Sequence, residues 1–319
     1  MGILFEVYRM NCFKGRDVVS VNDFTNAEIE HILDVAEKMV PIARGEEKNR
    51  IMDGRVMASL FFEPSTRTRL SFEAAMYRLG GKVIGFSDAS GTSVKKGETL
   101  ADTIRMADAY SDVIAMRHPL MGSARLAAEF SKVPVLNGGD GAGQHPTQCL
   151  LDLFTIRSEK GKIGGNKVVL LGDLKYGRTV HSLTSALSRF GCEMTFVAPE
   201  QLQMPKEVIN ECIEHGVTPC LSTNLAEALA DADVLYVTRI QKERFPDAAE
   251  YERVAGLYIV NKELLSGCKK DLIVMHPLPR VNEIHPDVDS TPHAAYFRQA
   301  FNGVPVRMAL ISLVLGAME

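Results

Sequence analysis

The sequence has no large excess of either charge: 36 Lys+Arg stand against 40 Asp+Glu, a formal net charge of -4 over 319 residues. That balance gives no reason to expect nucleic acid or an anionic membrane surface as a partner. It also has no Cys-x-x-Cys pair. Its 6 cysteines, Cys12, Cys149, Cys192, Cys212, Cys220 and Cys268, are scattered, which removes the usual zinc and disulfide patterns and fits free thiols in a reducing compartment. No apolar run approaches the ~20 residues of a membrane span, because charges, Gly or Pro interrupt each one. Glu6, Arg9 and Asn11 break up the opening stretch, so a signal-peptide core is missing as well. The expectation is a cytoplasmic globular protein with no membrane or nucleic-acid partner.

What the sequence does have is alternation. Short apolar runs at 56–62, 82–86, 113–116 and 133–136 are separated by stretches of helical periodicity, after a first helix in which Ile29, Ile32, Leu33 and Ala36 share a face. A glycine-rich passage, Asn137-Gly138-Gly139-Asp140-Gly141-Ala142-Gly143, breaks the pattern and leads into a helix from His145. A second series follows at 167–171, 193–197, 217–221, 234–237 and 272–275. Such alternation implies βαβ units and parallel sheets. The expected fold is α/β, with two doubly wound parallel-sheet domains at 1–146 and 147–302. An apolar closing segment, 303–319, reads as a helix from Gly303 to Gly316.

The stretch Phe61-Phe62-Glu63-Pro64-Ser65-Thr66-Arg67-Thr68-Arg69-Leu70-Ser71-Phe72 reads as a strand end, a polar turn and a helix start. Pro64 biases Glu63 away from helical angles, and Ser65 suits the N-cap. Phe72, Met76 and Leu79 recur at helical spacing, and Gly80-Gly81 supplies a left-handed stop. The first turn therefore sets the hydroxyls of Ser65, Thr66 and Thr68 beside the guanidiniums of Arg67 and Arg69, at the positive end of a helix. Forked arginine donors with hydroxyls and backbone amides make a phosphate cradle. The same residues also suit an ordinary capped helix with surface arginines.

Other polar clusters fall where strands give way to helices. Arg117, in Met116-Arg117-His118-Pro119, ends the third strand, where open α/β sheets place ligands; it suits an anion, or a pair with Glu63 or Asp140. His145, in Gln144-His145-Pro146-Thr147-Gln148, opens a helix at the same edge. Ser93-Val94-Lys95-Lys96-Gly97-Glu98-Thr99 is a loop whose lysines suit solvent as well as a ligand, and Thr99 is the expected cap of the next helix. In the second series, Gly172 to Thr179 lacks the Gly-x-Gly-x-x-Gly fingerprint, so Arg178 points to a carboxylate more readily than to NAD. Arg239 and Gln241 follow the strand at 234–237. His276-Pro277-Leu278-Pro279-Arg280 follows the one at 272–275, and its prolines fix the backbone so that carbonyls can be aimed.

These motifs, in this order from about Lys14 onward, resemble those of the aspartate and ornithine transcarbamylases. His-Pro-Leu-Pro-Arg stands where the ornithine enzymes carry His-Cys-Leu-Pro, so the second-substrate motifs are closer to the aspartate enzymes. The resemblance implies a homotrimer with sites shared between subunits, a last helix that crosses back to the first domain, and chemistry without cofactor or metal. It implies that Ser65, Thr66, Arg67, Thr68, Arg117, His145, Gln148, Pro277 and Leu278 bind carbamoyl phosphate, joined by Lys96 and either Ser93 or Thr92 from a neighbouring subunit. L-Aspartate would be held by Lys96, Arg178, Arg239, Gln241 and Leu278. Catalysis would fall to Arg67, Thr68, Lys96, Arg117 and His145, as the aspartate amine attacks the carbonyl carbon and phosphate leaves. The resemblance also suggests a cis Leu278-Pro279 bond. Separate regulatory chains, an ornithine acceptor and a non-catalytic scaffold role stay open on the sequence.

Overall fold

The computed structural model describes residues 13–240 and 256–319. The chain forms two compact units: one runs to Phe154 and resumes at Phe301–Glu319, the other is Thr155–Ala300. In the first unit, α1 (Asn26–Arg44) precedes a parallel sheet of β1 (Val56–Phe61), β2 (Lys82–Phe86), β3 (Val113–His118) and β4 (Val135–Asp140), in the order β2-β1-β3-β4. The strands are joined by α2 (Thr66–Arg78), α3 (Leu100–Tyr110) and α4 (Ser123–Phe130). On one face Ala58, Leu60, Phe62, Ile114 and Met116 pack on Ile104, Ala107, Ala124 and Ala127 of α3 and α4. Strand residues alternate in direction, so Met57 and Phe61 face the other side, where α2 packs on β1 and β2 through buried Phe72 and Met76. Covering both faces is why these strands read as nearly unbroken apolar runs.

Strand β4 corrects one expectation. It runs through Asn137, Gly138 and Gly139 to Asp140, so the glycines continue the strand where their composition signals a break. The physical reason is space. A Cβ on Gly138 would lie 3.1 Å from the Met116 carbonyl oxygen, 3.2 Å from Thr68 Cγ2 and 3.5 Å from Phe72 Cε2. Glycine thins the strand where the start of α2 presses on it.

The second unit has a parallel sheet of β5 (Lys167–Leu171), β6 (Glu193–Val197), β7 (Cys220–Ser222), β8 (Val234–Val237) and β9 (Ile273–Met275), in the order β7-β6-β5-β8-β9. Its crossovers include α6 (Arg178–Arg189), α7 (Lys206–Glu214), α8 (Leu225–Leu229) and α9 (Lys262–Leu265). Val169, Leu171, Leu235, Val237 and Val274 form a buried cluster with Leu225, Leu229 and Leu265 on one face. Strand β7 is shorter than the 217–221 run suggests, being an exposed edge with a single neighbour.

Helix α5 (Pro146–Lys160) carries the chain from the first unit into the second, and α10 (Tyr296–Val314) carries it back. Helix α10 begins before Gly303: Gly303 and Pro305 have the look of a helix start, yet both lie inside it. In each sheet the chain leaves a central strand in opposite directions. The crevice between β1 and β3, and the one between β5 and β8, are therefore topological switch points, where loops after the strands diverge and leave room for a ligand.

Candidate active site

At the first switch point, β1 ends in Phe62-Glu63-Pro64 and α2 begins. Ser65 is the extended N-cap, but its hydroxyl makes no capping bond, and no acidic residue occupies the first turn. Helices α1 and α3 are built the other way, with Thr25 and Thr99 accepting from the backbone amides of Glu28 and Asp102. The start of α2 thus has neither a side-chain cap nor an acid of its own to meet its backbone donors and positive dipole end. Thr68 is buried, Arg67 reaches outward, and partial desolvation holds the Arg67 guanidinium below the usual arginine range. Arg69 turns away: it donates to Glu73 Oε1 at 3.1 Å, which also accepts from Ser59 Oγ.

Across the crevice, Arg117 Nε donates to Glu63 Oε1 at 2.7 Å, Nη2 stands 2.5 Å from the same oxygen, and Nη1 donates to the Gly138 carbonyl at 3.1 Å. Of the two partners open on the sequence, Glu63 takes the arginine. Asp140 holds the next loop, accepting from Gln144 N at 2.7 Å, Gly122 N at 2.9 Å and Asn137 Nδ2 at 3.2 Å. That loop delivers buried His145, whose carbonyl accepts from Gln148 N and Cys149 N at the head of α5. Gln148 Nε2 donates to Asp152 Oδ1 at 2.9 Å. A carboxylate only accepts, so this bond fixes the amide with its nitrogen inward and leaves its oxygen to accept from an N–H group. Glu63, Asp140 and Asp152 were not among the expected site residues. Asp152 had one sequence signal, the i,i+4 spacing from Gln148.

Ser93 and Lys96 lie on a short 3-10 turn, Ser93–Lys96, both exposed. Thr92 caps that turn and donates to the Ala89 carbonyl at 2.7 Å, so its hydroxyl is spent locally. Among the described residues, neither Ser93 Oγ nor Lys96 Nζ has a hydrogen bond or ion pair. Of the two candidates, Ser93 is the one whose hydroxyl has no hydrogen bond among the described residues.

The second unit also places an arginine at a helix start. Arg178 is the first residue of α6, whose N-cap Gly177 makes no side-chain cap and whose first turn has no acid. Gly172 lets β5 pass close to β8: its φ is 118°, and a Cβ would sit 2.2 Å from the Thr238 carbonyl oxygen. Thr238 N and Oγ1 both donate to the Leu171 carbonyl, at 2.8 and 3.1 Å, so Arg239 follows β8 from a fixed point beside the Arg178 loop. Gln241 lies outside the described residues. After β9, His276 Nδ1 accepts from Leu278 N at 2.8 Å, which puts its proton on Nε2, 2.7 Å from Glu283 Oε1. Leu278 has a φ of 54°, rare for a non-glycine residue, and its bond to Pro279 is cis. Arg280 grips Asp289 and Tyr296 on the other side, so half-buried Pro277 and Leu278 sit on a loop held at both ends. Among the described residues no group of three or more His, Cys, Asp or Glu side chains is placed to hold a metal ion, and no helix is long and apolar enough to cross a membrane.

Residues 16–158 match the carbamoyl-P binding domain of aspartate/ornithine carbamoyltransferases, and residues 164–314 match their Asp/Orn binding domain. The chain belongs to the aspartate/ornithine carbamoyltransferase family. Within that family it is 58% identical over 306 residues to the aspartate carbamoyltransferase catalytic subunit of Thermococcus gammatolerans, covering 96% of this chain and 99% of that one. It is 56% identical over 310 residues to the corresponding subunit of Methanosarcina mazei, covering 97% and 100%. The catalytic subunit of M. jannaschii aspartate transcarbamoylase has the same fold with a TM-score of 0.89 at 51% identity, over 94% of this chain and 98% of that one. Aspartate transcarbamoylase from Trypanosoma cruzi, solved with carbamoyl phosphate and aspartate, also gives 0.89, at 44% identity over 95% and 98%.

Proposed function

We infer that this carbamoyltransferase moves the carbamoyl group of carbamoyl phosphate to the α-amine of L-aspartate, giving N-carbamoyl-L-aspartate and phosphate, an early committed step of de novo pyrimidine synthesis. One observation carries the reading. At the first switch point an acid-free helix start with no side-chain cap stands by Arg117, whose guanidinium Glu63 and the Gly138 carbonyl hold in place, with the Gln148 side-chain amide oxygen left as an acceptor. A phosphate suits the first two and a carbamoyl amide the third.

In this reading Ser65, Thr66, Arg67 and Arg117 take the phosphate. Gln148 and the carbonyls of Pro277 and Leu278 take the carbamoyl nitrogen, and Thr68, Arg117 and His145 donate to the carbonyl oxygen. As the amine attacks, that oxygen becomes an oxyanion, and each donor aimed at it is worth about 10²- to 10³-fold in turnover. The C–N bond forms, the C–O bond to phosphate breaks, and the departing phosphate accepts the amine proton. Arg178 takes the aspartate α-carboxylate, while Arg239 and Gln241 take the side-chain carboxylate. Much of the acceleration is the joining of two anions in one orientation.

In this reading carbamoyl phosphate belongs chiefly to 1–146 with 303–319 and aspartate chiefly to 147–302, with Gln148, Pro277 and Leu278 of the latter stretch serving the carbamoyl group. Ser93 and Lys96 complete the site of a neighbouring subunit in a homotrimer in the cytoplasm, which accounts for an exposed lysine with no partner among the described residues. The deciding assay is the initial rate of ureido-product formation from carbamoyl phosphate, with L-aspartate and with L-ornithine in parallel. A large preference for aspartate is expected; turnover of ornithine alone would overturn the acceptor assignment. For the shared site, Lys96→Ala and His145→Ala proteins, each inactive alone, should regain partial activity after subunit exchange, and no recovery would count against it.

A further inference from the structure

Arg307 lies inside the first unit on α10, 2% exposed, and none of the roles above uses it. Its Nη2 donates to Thr147 Oγ1 at 3.0 Å and its Nη1 to the Gly303 carbonyl at 3.1 Å, while Cζ stands 4.8 Å from the centre of the Phe72 ring. The carboxylate of fully buried Asp152 acts on it as counter-charge. Burial pulls the guanidinium down to about 9, so at neutral pH it is still a cation. A buried ion pair is weak evidence for stability, since well-packed apolar residues often do as well. Its other contacts are more telling, because Thr147, Asp152 and Phe72 each lead to the donor site. Thr147 sits between His145 and Gln148 in the chain, Asp152 holds the Gln148 amide, and Phe72 belongs to the helix whose first turn bears Thr66, Arg67 and Thr68.

We propose that Arg307 is a positioning residue for carbamoyl transfer: it clamps the head of α5 against α2, so that His145 and Gln148 meet the carbamoyl group in register with Thr68. The inference rests on the donor-site reading above. Gly303 makes the clamp sterically feasible, because a Cβ there would lie 2.3 Å from Arg307 Nη1 and 3.3 Å from Leu151 Cδ2. Removing the clamp frees one site-bearing helix to shift against the other, and a misplacement of about 1 Å at a reacting centre can cost about 10²-fold.

The test uses the full chain with three substitutions. Arg307→Lys keeps the charge and loses the fork; Thr147→Val keeps the shape and loses the acceptor. Gly303→Ala displaces the guanidinium while improving helix propensity, so a lower rate cannot be assigned to a weaker helix. Each is expected to lower kcat about tenfold and to raise the KM for carbamoyl phosphate severalfold, leaving the KM for aspartate within about twofold. Arg307→Lys and Thr147→Val cut the same contact, so the double variant should cost no more than the worse single one. Wild-type kinetics with only a lower Tm, equal rises in both KM values, or multiplicative losses in the double variant would each overturn the proposal. If Arg307→Lys does not fold, the other two substitutions decide it. A wild-type chain inactive toward aspartate would bring down the donor-site reading itself, a result separate from normal turnover in the variants.

Discussion

Gly138 has no side chain, yet two groups of the proposed donor site, Thr68 and Arg117, lie against it. Its Cα faces the Thr68 methyl, and its carbonyl accepts from Arg117 Nη1 at 3.1 Å. In Gly138→Ala the new methyl would meet Thr68 Cγ2 at 3.2 Å, whereas carbon atoms pack best at about 3.5–4.0 Å. On the other side lies the Met116 carbonyl oxygen at 3.1 Å, part of β3 and unable to retreat cheaply. Something must give by several tenths of an ångström, and the start of α2 is the softer neighbour. A shift of about half an ångström at Thr68, with Arg117 following the strand, is expected to cost about tenfold in kcat, about 1.4 kcal/mol of transition-state stabilisation. Overpacking should also lower stability by about 1–3 kcal/mol. The assay is kcat at saturating carbamoyl phosphate and aspartate, with Tm measured on the same samples. A kcat within about twofold of wild type beside a lowered Tm would show that β4 absorbs the methyl without moving Thr68 or Arg117, and the reasoning would fail.

Gly172→Ala meets backbone on the neighbouring strand and a φ of 118°, so it should destabilise the second unit by about 3 kcal/mol or more; an unchanged denaturation midpoint would contradict this. Burial pushes the Glu283 carboxyl up, but the His276 hydrogen bond and backbone donors outweigh it and leave the group below the usual glutamate value. Its depressed folded value means the stabilisation is present above the unfolded pKa and is lost as pH falls through the folded one. The stability gap between wild type and Glu283→Gln should accordingly be widest above about pH 5 and close in more acid solution; a gap independent of pH would count against the assigned pair. Burial pushes the Cys192 and Cys212 thiols up to about 11, whereas Cys220 is exposed. At pH 8 only about one in 10³ of the buried thiols is ionised, so iodoacetamide should label Cys220 and spare the other two in the native protein. Peptide mapping that finds Cys192 modified without unfolding would refute that.

The parts of this fold that could be read from the sequence are those decided locally. Pro64 and Ser65 fix the turn into α2, Thr99 caps α3, and Phe72, Met76 and Leu79 mark a buried face whatever lies opposite. What could not be read depends on neighbours far along the chain. The glycines of β4 look like a loop until Thr68 and Phe72 are seen pressing on Gly138, and Gly303 looks like a helix boundary until Arg307 is seen lying against it. Whether Arg117 chose Glu63 or Asp140 depended on where β4 put Asp140, which serves the backbone amides of Gly122 and Gln144. The order of the strands, which makes switch points of two ordinary loops, has no signature in any single segment.

The second unit is one continuous stretch, Thr155–Ala300, but the first needs Phe301–Glu319, which follow the whole of the second in the chain. During synthesis the first unit therefore cannot finish when its own strands have emerged. At about 5–20 residues per second, the wait from Phe154 to the last helix is on the order of ten seconds or more. For that interval the apolar surfaces later covered by Val306, Leu310 and Ile311 stay open, and Thr147 waits for Arg307. The first unit is begun before the second and completed after it. Its vulnerable moment is a state that lacks the last helix, and a chaperone that shields it, or a slow stretch of codons just ahead of that helix, would act on the yield of the first unit more than on that of the contiguous second unit.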